Sequence, residues 1–127
     1  MRIMIVDDAP AIRERLRDEL SLVDGVEVVA EAGNAVTALT LARQHRPDAS
    51  IVDLSLPGGS GFEVLAGLKS IDPTSTAIVL TNYAEVQNRD ACLRAGANYF
   101  FDKSHDIDRL MSLLNLLSNM KRVVERQ

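Results

Sequence analysis

"RIMIVDDAP" (residues 2–10) sets a short apolar run directly against two aspartates and a proline. Ile3 to Val6 reads as a buried strand, rich in β-branched residues. Pro10 suits the first turn of a helix, where its missing N–H costs nothing. Between strand and helix lie Asp7 and Asp8, two carboxylates that repel each other unless something positive sits with them.

The same alternation recurs along the chain. Ile12, Leu16, Leu20 and Val23 are spaced for an amphipathic helix, which Asp24-Gly25 breaks. Val26 to Ala30 is the next strand. Asn34 is placed to cap a helix carrying Val36, Leu39, Thr40 and Ala42, ending near Arg46-Pro47. Ala49 to Val52 is a third apolar run, and it too ends in an aspartate, Asp53. "SLPGGSG" (residues 55–61) is a loop by composition. Phe62, Leu65 and Leu68 belong to a helix stopping before Asp72-Pro73. Ala77 to Leu80 is a fourth strand ending at Thr81, followed by a short helix from about Glu85 to Arg94 with Gly96 as its C-cap. Tyr99 to Phe101 leads to Lys103, and a long helix occupies the rest from Asp106 onward.

Five short apolar strands joined by helices predict an α/β fold: a five-stranded parallel sheet, doubly wound as (β/α)5 and covered on both faces. At 127 residues, with no internal repeat, low-complexity tract or linker, residues 1–127 read as one domain. The chain is 46% hydrophobic and 25% charged, with a formal net charge of −4 and no basic run. Direct nucleic-acid binding by this segment is therefore not expected, since phosphates call for a basic face. The single cysteine, Cys92, excludes an intrachain disulfide and reads as a small core residue. Neither a signal peptide nor a bilayer-spanning stretch is apparent, so a cytoplasmic protein without membrane contact is expected.

In open parallel sheets, ligands gather at the carboxyl ends of the strands. There this chain places Asp7 and Asp8, Asp53, Thr81 and Lys103. Three clustered carboxylates need a cation, and oxygen-only ligands at a partly hydrated site favour Mg²⁺, with Mn²⁺ as a substitute. A carboxylate beside such a metal can attack phosphorus, while a hydroxyl and an ammonium take the remaining phosphoryl oxygens.

These residues carry a resemblance. "MIVDD" (4–8), "SIVDLSLPGGSGFEVL" (50–65), "AIVLTNYA" (77–84) and "AGANYFFDK" (95–103) resemble the receiver domain of bacterial two-component response regulators. The resemblance implies a flavodoxin-like, chemotaxis-receiver-like sheet of strand order 2-1-3-4-5. It implies that Asp53 accepts a phosphoryl group from a sensor histidine kinase or a histidine phosphotransfer protein. Asp8 and Asp53 would ligate the metal directly with the Ser55 backbone carbonyl, and Asp7 through a water. Thr81 and Lys103 would hold the phosphoryl group, Pro57 and Gly61 shape the acceptor loop, and Phe100 is the expected aromatic switch. A receiver assists its own phosphorylation and dephosphorylation but is not a turnover enzyme.

One departure stands after the lysine, where many receivers have proline and a cis peptide and this chain has Ser104. A non-proline cis bond costs ~2.5–4 kcal/mol, so either a trans loop or local strain is expected. The resemblance implies that the side chains of Ser55 and Tyr83 flank the path by which water reaches the phosphoryl group. Neither is acidic or an amide, which predicts a phosphorylated state lasting minutes to hours.

Along the last helix, Ile107, Leu110, Met111 and Leu114 form a stripe for the sheet. Leu113, Leu116, Met120 and Val123 form a second stripe, expected to meet a second copy on phosphorylation or an output partner. Two rival functions fit less well. A haloacid-dehalogenase-type phosphatase needs an acid two residues after its nucleophile, where Ser55 stands. An FMN carrier needs a phosphate-binding loop where "DDAP" would repel phosphate. For output, "GVEVVAEAGNAVTAL" (25–39) resembles receivers joined to a helix-turn-helix domain, so the chain reads as a receiver acting alone or as one half of a transcription regulator.

Overall fold

The computed structural model describes residues 1–83 and 86–126, with the side chains of residues 86, 125 and 126 set aside. Arg2–Val6 forms β1, Pro10–Leu20 α1, Glu27–Ala32 β2, Ala35–His45 α2 and Ala49–Val52 β3. Ser55–Leu56 (β4) and Gly59–Ser60 (β5) make a small antiparallel hairpin. Gly61–Ile71 is α3, Thr76–Thr81 β6, Val86–Arg94 α4, Tyr99–Asp102 β7 and Ile107–Arg126 α5. The main sheet has the order β2-β1-β3-β6-β7 with parallel pairing throughout. Once the hairpin strands are set aside, this is the expected 2-1-3-4-5 order. The expected start of the fourth helix at Glu85 lies outside the described residues.

Strand residues alternate between two buried faces, as a parallel sheet under helices on both sides requires. Ile3, Ile5, Ile51 and Leu80 pack with Leu16, Leu20, Leu110 and Leu114 of α1 and α5. Met4, Val6 and Val52 face Ala38, Val64 and Leu68 of α2 and α3. Ala77 and Val79 continue that second layer against Leu65 and Cys92. The ladder runs one residue past β3 and β7: Asp53 N–H donates to Val6 O at 2.9 Å, and Lys103 N–H to Thr81 O at 2.9 Å. Residues that follow the strands therefore emerge at one level.

Several local expectations are corrected. α1 stops at Leu20, and Val23 lies in the turn that follows. On α2 the buried face is Ala35, Ala38 and Ala42, while Val36 and Thr40 point to solvent. Small residues take the inner face because α2 lies close on the sheet, and half-buried Leu39 turns to α3, where it occupies the space a Cβ on Gly67 would fill. Asn34 caps the helix as expected, its Oδ1 accepting from Thr37 N–H at 2.8 Å. The 55–61 loop contains the hairpin, whose turn sets Pro57 before Gly58 at φ +70°, a pattern suited to a type II turn.

On α5, Leu113 is half-buried beside the sheet-side cluster and does not belong to the outer stripe. It stands only 60° around the helix from Leu110, on the flank of the buried side. Leu116, Met120, Val123 and also Val124 are exposed. The opposite side of the helix is fixed by the buried Ser118 hydroxyl, which donates to Asp24 O at 2.9 Å. At the other end of α5, Asp106 holds the outer side of β7. Its Oδ2 accepts from Asp102 N–H at 2.9 Å, and its own N–H donates to Asp102 O at 2.8 Å.

Candidate metal and phosphoryl site

The carboxyl ends of β1, β3, β6 and β7 bring Asp7, Asp8, Asp53, Thr81 and Lys103 to one edge. Asp7 and Asp53 are buried, Thr81 is fully enclosed and Asp8 is exposed. Carboxylate oxygens of Asp7, Asp8 and Asp53 lie within 4.8 Å of one another. Lys103 Nζ donates to Asp7 Oδ2 at 2.6 Å and to Asp53 Oδ2 at 2.9 Å. Burial alone would lower the pKa of this ammonium. Its hydrogen bonds to Asp7 and Asp53, and their charges, outweigh that and hold it above the ordinary lysine value.

One ammonium against three carboxylates leaves two negative charges on the cup. The donors are all oxygen, and Asp8 has no hydrogen bond or ion pair among the described residues. This set fits a hard divalent cation such as Mg²⁺, which keeps several waters and takes few carboxylates. Asp7 is differently placed: besides Lys103, its Oδ1 accepts from Ala9 N–H at 2.9 Å. That bond shapes the loop into α1, whose N-cap Ala9 has no side-chain cap of its own.

The other expected residues fall around this cup. Asp53 Oδ1 receives only a long contact, 3.5 Å from Ser55 N–H. Thr81 Oγ1 accepts from Tyr83 N–H at 3.2 Å, which leaves its own proton to donate. The Tyr83 side chain is exposed. Gly61 is required by close approach, since a Cβ there would lie 2.3 Å from Asp53 O and 2.6 Å from Leu54 Cα. Phe100 is half-buried, packing on the Leu54–Leu65–Val79 cluster. It also lines a groove of about 340 Å³ with Phe101, Arg89 and Arg109, between α4 and α5.

The Lys103–Ser104 peptide is trans, which settles the open expectation at that bond. Its turn is held instead by Asp102, whose Oδ1 accepts from Ser104 N–H at 2.8 Å. That backbone donor holds the Asp102 carboxyl below its ordinary pKa.

Two neighbours escaped the sequence reading. Arg13 Nη1 donates to the Asp7 backbone carbonyl at 2.6 Å, and its Nε lies 3.7 Å from Glu31 Oε1. The available signal was a cation in the first turn of α1, where the helix dipole disfavours one.

Residues 3–115 match the family model for the response regulator receiver domain. The chain is a receiver domain of the response regulators. A putative transcriptional regulator of Pseudomonas aeruginosa is 40% identical to it over 110 residues, covering 87% of this chain and 53% of that protein. The chemotaxis protein CheY of Bacillus subtilis is 33% identical over 118 residues, covering 93% of this chain and 98% of that one. Among solved structures, a LuxR-family two-component response regulator from Aurantimonas sp. SI85-9A1 superposes with a TM-score of 0.86 at 32% identity, covering 93% of this chain and 84% of that one. The receiver spans about half the length of several curated relatives, including 53% of the nitrate/nitrite regulator NarP of Escherichia coli. Receivers are signalling domains, and a phosphorelay role follows from membership. No helix among the described residues is long and apolar enough to cross a membrane.

Proposed function

We propose that this receiver accepts a phosphoryl group on Asp53 from a phosphohistidine, in a Mg²⁺-dependent reaction, and so controls a partner or output domain. The observation that carries the reading is Lys103 bridging Asp7 and Asp53 inside a three-carboxylate cup that still lacks charge balance. Asp8 and Asp53, with the Ser55 carbonyl, would hold the metal, and Asp7 would support it through water. When bound, the cation neutralises charge on the phosphoryl oxygens. Asp53 attacks phosphorus, an O–P bond forms as the N–P bond breaks, and the departing imidazole takes up a proton. Lys103 and the Thr81 hydroxyl then bind phosphoryl oxygens. Residues 1–127 form this one receiving unit, which takes its phosphoryl group in the cytoplasm from a sensor kinase or histidine phosphotransfer protein.

Movement of Thr81 toward the phosphoryl group would draw Phe100 inward and reshape the groove between α4 and α5. The exposed strip Leu116–Met120–Val123 is the surface for a second copy or an output domain. Half-length coverage of relatives that include a putative transcriptional regulator and NarP supports the output domain. Incubation with a small phosphodonor and Mg²⁺, followed by intact mass, tests the chemistry. A single phosphoryl adduct is expected, absent in Asp53→Asn and with chelator. An adduct that survives either change overturns the mechanism.

A further inference from the structure

We propose that Arg13 is a positioning residue for the metal site, holding the peptide from which the Asp8 carboxylate projects. The inference rests on the metal reading of the acidic cup. Arg13 is the fourth residue of α1, and helical side chains lean back toward the N-terminus. Its guanidinium accordingly reaches back over the β1–α1 loop to the Asp7 carbonyl at 2.6 Å. Glu31, at the end of β2, braces it from the other side, with Nε 3.7 Å from Oε1. Glu31 is itself tied to Arg17 at 2.6 Å.

The backbone of Gly33 forms the remaining wall. A Cβ there would stand 3.3 Å from Arg13 Nη1 and 4.0 Å from Asp8 Cα. The guanidinium thus fills the space between β2 and the Asp7–Asp8 link, and its side chain is only 23% exposed. Asp7 has its own anchors in Lys103 and Ala9, whereas Asp8 has none among the described residues. What orients Asp8 is its backbone, and Arg13 is the side chain that grips the carbonyl just before it.

This role has a sign that charge alone cannot give. A cation near the cup repels a metal ion, so removing its charge would tighten Mg²⁺ binding. Removing a positioning contact weakens it. The planar fork of arginine spans Asp7 O and Glu31 together, and a lysine ammonium offers only a point charge.

Calorimetric titration with Mg²⁺ separates the two. Arg13→Gln and Arg13→Lys are expected to raise the Mg²⁺ Kd about tenfold, the scale of losing a group that supports a ligand. Arg17→Gln removes a cation without touching Asp7, loosening only the far side of the Glu31 brace, and should stay within about twofold, as a screened exposed charge does. In phosphodonor reactions, the Mg²⁺ concentration for half-maximal labelling should rise in Arg13→Gln while the rate at saturating Mg²⁺ is retained. Equal or tighter Mg²⁺ binding by Arg13→Gln overturns the role. If that variant does not fold, Arg13→Lys decides, and an unchanged Kd overturns it. Should the unaltered protein bind no Mg²⁺, the metal reading falls and this role with it. Binding that Asp8→Asn abolishes and Arg13→Gln leaves intact overturns the Arg13 role alone.

Discussion

Lys103 Nζ stands 2.9 Å from Asp53 Oδ2, so the proposed acceptor already shares a cation before any metal or phosphoryl group arrives. The same ammonium holds Asp7 at 2.6 Å, and all three side chains are nearly enclosed. Lys103→Ala would leave two buried carboxylates facing each other without their cation. Breaking such a pair costs about 3 kcal/mol. Thermal melts should show this loss in chelator, and Mg²⁺ should stabilise the variant more than the unaltered protein. Equal Mg²⁺ effects on both would contradict the charge balance drawn here.

The two aspartates of the pair are not equivalent. Asp8 is exposed with no hydrogen bond or ion pair among the described residues, while Asp7 is buried with two partners. Asp8→Asn should weaken Mg²⁺ binding more than Asp7→Asn, and Asp7→Asn should cost more folding stability. Paired titrations and melts check both, and a reversed order in either would refute the assignment.

Tyr83 is the residue expected to set how long a phosphoryl group on Asp53 would survive. Its backbone N–H is tied to Thr81 Oγ1, and the residue is 53% exposed. Tyr83→Ala should speed decay of the Asp53 adduct, followed by intact mass after the donor is removed. An unchanged decay rate would discard its shielding role.

Asp48 gives a pH dependence away from the site. Burial alone would raise its pKa, but hydrogen bonds from Arg2 N–H at 2.7 Å and Lys121 at 3.2 Å outweigh it and hold the carboxyl below its ordinary value. A carboxyl lowered on folding contributes stability above its unfolded pKa of ~3.9 and loses it as pH falls through the folded value. Asp48→Asn should therefore be less stable by ~1 kcal/mol at neutral pH. The gap to the unaltered protein should close below about pH 3.9 in acid-unfolding curves.

Ser50 lies in the middle of β3, buried, with its hydroxyl unpaired. Its row neighbours across the sheet are Met4 and Ala77, which offer no side-chain acceptor. Ser50→Ala should raise stability by ~1 kcal/mol, because an unsatisfied buried hydroxyl is removed at little loss of volume. A drop in midpoint on denaturant unfolding would show that Ser50 has a partner after all.

Strand–helix alternation and the sheet-edge residues were legible because both follow from local pattern: apolar runs ending in Asp7, Asp53, Thr81 and Lys103. The buried face of α2 was not legible because Val36 is apolar yet exposed, while the close packing of α2 on the sheet selects alanines. Leu113 was misplaced for a related reason, since a stripe drawn by period does not say how wide the neighbouring core is. Arg13 was missed because its value lies in one backbone carbonyl, and a sequence marks side chains rather than the carbonyls they reach. The hairpin at Ser55–Ser60 depends on two glycines with positive φ, which composition reads only as loop.

The outermost strand of the sheet ends at Asp102, whose N–H and carbonyl are both occupied by Asp106. A bare strand edge invites another chain to zip on through its backbone, and such pairing is slow to undo. With that end of β7 closed by Asp106, just before α5, any contact between copies at this point would have to form through side chains. Contacts of that kind form and dissolve as quickly as the groups that make them are presented. Asp106 thereby withholds the backbone of this strand end from a second chain, which suits a surface whose contacts must be undone when a signal ends.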